Sequence, residues 1–174
     1  DIYGGSALGN VNNDAQDITK VEFLNGTLHG KLYGGGLGSL AVEDDPDTQE
    51  DESAPAIAAK VMGQVQVNIG ADGQSNCAID LSDASVFGCN NTNGSPQDDV
   101  TVTVWCTAHN STYGIDQVFG GGNRADYAPE NGLVTSAKRA AVNVMGCLNT
   151  IRRLFGGGNA AAATGVAVTI NGGT

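Results

Sequence analysis

An aliphatic residue, an aromatic residue and a glycine follow one another five times along this chain, at Ile2-Tyr3-Gly4, Leu32-Tyr33-Gly34, Val86-Phe87-Gly88, Val118-Phe119-Gly120 and Leu154-Phe155-Gly156. These copies use five of only eight Phe and Tyr residues, and their aromatics are spaced by 30, 54, 32 and 36 residues. Self-similarity at such a period marks stacked supersecondary units, none of which buries its apolar face without its neighbours. Four copies extend further, as LYGGGLG, VFGCNN, VFGGGNRA and LFGGGNAA.

A second shared element follows each triplet. Val21-Glu22-Phe23, Val65 to Ile69, Val100 to Val104, Val142-Asn143-Val144 and Val166 to Ile170 alternate apolar and polar residues and are rich in β-branched side chains. A period of two describes a strand with one dry and one wet face. Each run stops at a turn position, Asn25-Gly26, Gly70, Cys106, Gly146 or Asn171-Gly172. A short third segment, such as Cys77 to Leu81 or Cys147 to Ile151, leads into the next triplet. No segment keeps a helical period, so the chain reads as all-β.

Such strands could be propeller blades, hairpins of a sandwich or turns of a coil. A propeller blade needs about four strands in about 40 residues or more, longer than most of these units. Recurrent corner glycines suit a chain that bends at the same place on every turn. The expected fold is therefore a right-handed parallel β-helix, a β-solenoid of about five turns, its hand that of parallel crossovers generally. Stacked turns place equivalent residues about 4.8 Å apart. Tyr33, Phe87, Phe119 and Phe155 then form one column, and Asn90, Asn123 and Asn159 an amide ladder. Either the aliphatic or the aromatic member of the triplet faces the core.

Residues 1–174 read as one repeat domain. With 40% hydrophobic residues, 26 glycines and one tryptophan, the composition suits a narrow core with many corners. Neither end carries a polar capping repeat, so the chain is expected to be a piece of a longer protein or one subunit of a stack. No apolar run is long enough to span a membrane. The net charge is −11, and seven of 19 acidic residues lie between Glu43 and Glu52. An acidic chain repels phosphate backbones, so nucleic acid is not an expected partner. The acidic run sits in the one long interval and reads as a solvated loop insertion near 43–54. Its order of carboxylates does not follow a calcium-loop pattern, and GGGN-R-A-D departs from the calcium-binding nonapeptide, so no metal or other cofactor is expected.

Cys77, Cys89, Cys106 and Cys147 include no C-x-x-C pair, which disfavours zinc. They read as small core thiols, with Cys106 and Cys147 as the pair to bridge if neighbouring turns are cross-linked. Asp116, Asp126, Arg124, Arg152, Arg153 and His109 are the charged residues that a polysaccharide lyase or hydrolase would need on one face. Exposed charges on loops are ordinary, His29 and His109 occupy unrelated repeat positions, and no Ser/His/Asp or Cys/His set recurs. Sequons at Asn25, Asn90, Asn93 and Asn110 are expected by chance in a chain this rich in Asn, Ser and Thr. Ice binding needs Thr-x-Thr ladders, and Thr101-x-Thr103 stands alone.

The motifs VFGGGNRA, LFGGGNAA and LYGGGLG, with the following V-x-V-x-I-x-G-G, resemble the glycine-rich repeat surface proteins of anaerobic gut bacteria, particularly Bacteroidetes and some Firmicutes. The resemblance spans essentially the whole chain and is weakest in the long interval and at VFGCNN. It implies a β-helical, adhesin-like module at the cell surface or secreted. It transfers no catalytic, cofactor or metal residue. The expected function is non-enzymatic, structural or adhesive, with end-to-end association or surface glycans and proteins as partners. A carbohydrate-active or carbohydrate-binding β-helix is the alternative.

Overall fold

The computed structural model describes all residues except 49, 76, 109–111, 131–137 and 173–174, with only the backbone described at 147 and 148. Its strands are β1 (Ile2–Tyr3), β2 (Ile18–Phe23), β3 (Gly26–Thr27), β4 (Lys31–Tyr33), β5 (Gln64–Ile69), β6 (Ile79–Phe87), β7 (Val100–Cys106), β8 (Ile115–Phe119), β9 (Ala140–Leu148), β10 (Ile151–Phe155) and β11 (Ala167–Asn171). They fall into two sheets. One has six strands in the order β1-β4-β6-β8-β10, with β3 beside β6; the other has five, β2-β5-β7-β9-β11. Every strand pairing is parallel.

This topology corrects the expected right-handed parallel β-helix of about five turns. The strands form two separate parallel sheets facing one another across the core, not a closed solenoid. Regular strands stop at the glycine corners, although backbone hydrogen bonds between repeats continue there, as from Gly35 N–H to the Cys89 carbonyl and from Gly121 N–H to the Gly157 carbonyl; the irregular links between sheets hold isolated bridges such as Val11↔Val61, Val61↔Pro96 and Tyr127↔Ala163. The five triplets end, in order, the five main-path strands of one sheet, and the five alternating runs are the strands of the other.

Register converts the alternation into columns. In the second sheet Val21, Val67, Val102, Val142 and Val168 align, as do Phe23, Ile69, Val104, Val144 and Ile170. In the first, Ile2, Leu32, Val86, Val118 and Leu154 align. The middle members of these columns are buried, and all but Val144 belong to one core cluster. Each fully buried Val, Leu or Ile contributes about 1.5–3 kcal/mol of transfer free energy. Two corners require glycine: Gly70 (φ 77°) and Gly146 (φ 81°) occupy the left-handed region, the latter within a register shift between β7 and β9.

The aromatic members form a second cluster on the other side of their strands. Tyr3, Tyr33, Phe87, Phe119 and Phe155 stack with centroids 4.7–5.0 Å apart and planes within 12°. In the three middle copies both members of the triplet are thus buried, in different places, whereas Ile2 and Phe155 of the end copies are exposed. The amide ladder also forms, one residue away from its expected start. Asn159 Nδ2 donates to Asn123 Oδ1 at 3.0 Å, and Asn123 Nδ2 donates to Asn91 Oδ1 at 2.9 Å. The ladder position is four residues after the aromatic, which in VFGCNN is Asn91. Asn90 instead points inward and donates to the carbonyls of Ala59 and Asn93.

The expected bridge is corrected too. Cys106 is joined to Cys77, with Cα atoms 6.1 Å apart, rather than to Cys147, whose side chain lies outside the description. Cys89 is free and buried, and burial pushes its thiol pKa far up. The long interval holds a hairpin-like excursion bridged at Ser39↔Ile57 and Val42↔Ala54. Its carboxylates cap local turns: Asp44, Asp45 and Asp51 accept from the amides of Glu52, Asp47 and Ser53.

Two outcomes are expected from this packing. Replacing Cys77 by Ala opens a loop of 29 residues and lowers stability by about 3–4 kcal/mol on the loop-entropy relation, read as a shifted urea midpoint. Replacing residues 43–53 by an Asn-Gly turn between the bridged Val42 and Ala54 leaves stability within about 1 kcal/mol, because the segment contributes no core. A larger loss would show that the excursion packs against the body.

Candidate functional site

Five of the six charged candidates divide into two groups. Asp116, on β8, lies beside β10, and its Oδ1 is 3.1 Å from Arg152 Nη1 and 3.5 Å from Arg153 Nη2. Its Oδ2 accepts from Gln117 Nε2 at 3.1 Å. Partial burial pushes its pKa up, but the Gln117 amide and the two guanidiniums outweigh that and hold it below the ordinary 3.8. A carboxylate so held stays ionised at neutral pH and is a poor proton donor.

Arg124 and Asp126 lie elsewhere, on the corner that follows β8. They line an open cleft of about 400 Å³ with Lys60, Gln97, Glu130 and Leu40. Lys60 is ion-paired to Glu130 across this cleft. Asp126 Oδ1 accepts from the amide of Ala162, one repeat further on, at 2.7 Å. Among the described residues, no hydrogen bond or ion pair joins the Asp116 group to the Asp126 group. His109 lies outside the described residues. His29 is exposed, with Nδ1 3.6 Å from Asp83 Oδ2.

Lys60, Gln97 and Glu130 were not singled out from the sequence. They meet because corner loops stack as the strands do: Glu130 N–H donates to Gln97 Oε1 at 2.9 Å, and Ala128 N–H donates to Ser95 Oγ at 3.0 Å. Both pairs span 33 residues, close to the triplet spacing, so carrying the repeat offset past the GGGN segment is the signal that finds them. Asn93 adds a link to the excursion, donating to the Ser39 carbonyl at 2.8 Å.

The wet face of the second sheet presents Lys20, Gln66, Thr101, Ala141 and Ala167 in one row and Glu22, Asn68, Thr103, Asn143 and Thr169 in the next. Neither is a threonine ladder. Among the described residues no group of three or more His, Cys, Asp or Glu is placed to hold a metal ion, and no helix is long and apolar enough to cross a membrane.

No protein family, no curated protein and no solved structure matches this chain.

Asp116 supplies a pH test. Its folded pKa is depressed, so the stability it contributes is present above about pH 4 and is lost as pH falls through the folded value. The paired arginines are half exposed, which limits the contribution to about 1 kcal/mol or less. Urea melts of Asp116→Asn are expected to show a small loss at pH 7 that shrinks toward pH 2. A loss that grows with acidity would contradict the ion-pair account.

Proposed function

We propose that this protein is a non-enzymatic structural or adhesive repeat module, displayed at a cell surface or secreted. One observation carries the reading: the carboxylates that a catalytic role would need are engaged in joining one repeat to the next. Asp116 holds two arginines of the following triplet strand, and Asp126 caps an amide 36 residues ahead. Glycoside cleavage asks for two carboxyl groups flanking one bond, one of them a proton donor, and Asp116 is held ionised. The VFGGGN-type repeats, with their likeness to the surface proteins of gut anaerobes, point the same way.

The cleft beside Arg124 favours a second reading, a carbohydrate-binding module, because Lys60, Arg124 and Asp126 line it with charged groups beside the exposed Leu40. A screen against neutral and acidic polysaccharides separates the readings. No release of reducing ends or unsaturated products is expected, and Asp116→Asn and Asp126→Asn should behave as the parent does. Turnover abolished by either substitution would overturn the structural reading. Glycan-array binding lost in Arg124→Ala would move the cleft to the fore.

A further inference from the structure

The two sheets run in the same order, so the molecule has two unlike edges, β1 with β2 and β10 with β11. Hydrogen bonds across the repeats are directional. The amides of Gly4, Gly34, Gly88 and Gly120 donate to the carbonyls of Tyr33, Phe87, Phe119 and Phe155 at 2.9–3.0 Å. Four residues past each aromatic the direction reverses: Leu37, Asn91, Asn123 and Asn159 donate back to Ser6, Gly36, Asn90 and Gly122. One more repeat on the β10/β11 edge would take the Gly156 N–H on its first carbonyl and give an amide to the Gly158 carbonyl. On the opposite edge, Tyr3 C=O and Ala7 N–H hold those same places in the pattern.

The apolar columns are also cut in the same register. Phe155, Val166, Val168 and Ile170 are 43–68% exposed, although their column partners Phe119, Ala140, Val142 and Val144 are at most 3% exposed. Tyr3, Thr19, Val21 and Phe23 stand at the equivalent places on the other edge. Gly157 adds an independent observation. A Cβ on Gly5, Gly35 or Gly121 would strike atoms of the following repeat, whereas one on Gly157 meets nothing within 4 Å.

Charge follows the axis. Residues 131–174 contain Lys138, Arg139, Arg152 and Arg153 and no acidic residue, while residues 1–30 contain Asp1, Asp14, Asp17 and Glu22 against Lys20 alone. Continuing the register that pairs Lys31, Ser85, Gln117 and Arg153 places Asp1 of an added repeat beside Arg153.

We propose that the β10/β11 edge binds the β1/β2 edge of a second copy of this chain, head to tail, with triplets and valine columns continuing in register. The interface is heterologous, so it leaves both outer edges free and extends into a linear series. It rests on the structural role proposed above. Gly157→Val should block one edge and leave the monomer fold intact; Ile2→Lys should block the other. Sedimentation velocity on the parent chain is expected to show a concentration-dependent series of masses. Each variant alone should be monomeric, and their mixture should stop at a dimer, because one keeps a working tail and the other a working head. Circular dichroism and melting establish that both are folded, and Ile170→Lys repeats the tail block independently. A parent that stays monomeric, folded variants that still associate alone, or a mixture that stays monomeric would each overturn the proposal. A monomeric parent with no polysaccharide turnover defeats the docking alone, whereas turnover defeats the structural role.

Discussion

The close approach of one triplet to the next is the constraint on which the other contacts depend. A Cβ on Gly34, Gly88 or Gly120 would strike the carbonyl of the next triplet glycine and valine side chains of the facing sheet. Glycine therefore serves two neighbours at once, the repeat above it and the sheet across from it. With that approach secured, the aromatic rings are held at the strand spacing. Centroids 4.7–5.0 Å apart with near-parallel planes describe offset stacks, each contributing about 0.5–1.5 kcal/mol beyond area burial. Four such contacts are comparable with much of the 5–15 kcal/mol that stabilises a typical domain.

Strand positions were legible because the period-two pattern carries burial directly. Val67, Val102 and Val142 are buried as the alternation of their runs requires. The aromatic column was legible for the same reason, since equal motifs in parallel register must stack. Closure of the section was not: whether corner residues pair into continuous ladders depends on local backbone geometry, which Gly-, Asn- and Ala-rich segments leave open. The Asn register was within reach, because counting from the aromatic assigns Asn91 to the ladder; aligning on the broken GGGN shifts it to Asn90. The disulfide was not within reach. Cys77 lies outside the triplets and the alternating runs, and only the fold shows it 6.1 Å from Cys106.

The candidate site shows the same division. Charged residue types mark places where a sheet meets solvent, but they do not reveal whether a carboxylate waits for a ligand or serves its own backbone. Asp126 answers with an amide of the next corner, and Asp116 with two guanidiniums. Asp99 accepts from the Arg139 amide at 3.0 Å, and Lys138 Nζ donates to the Gln97 carbonyl at 3.0 Å. Polar side chains at the corners add to the backbone hydrogen bonds that continue between repeats there, and so the loops inherit the register of the strands.

Charge and polarity also distinguish the ways such a molecule meets its own kind. The two wet rows of the second sheet named above carry Lys, Glu, Gln, Asn, Thr and Ala, and the larger apolar residues of that face, Ile18, Trp105 and Met145, stand outside those rows, so the rows themselves offer little area for hydrophobic association. The acidic excursion adds seven carboxylates between Glu43 and Glu52, and like charge on neighbouring flanks opposes side-by-side contact at low salt. The edges present the opposite case: ladder atoms of complementary direction, half-exposed core columns, and basic residues at one end facing acidic ones at the other. Parallel sheets of this kind cannot remove their edges by closing, as barrels do. In the head-to-tail docking proposed above, the two edges would fit each other better than either fits an unrelated strand, because the triplet register would continue across the contact.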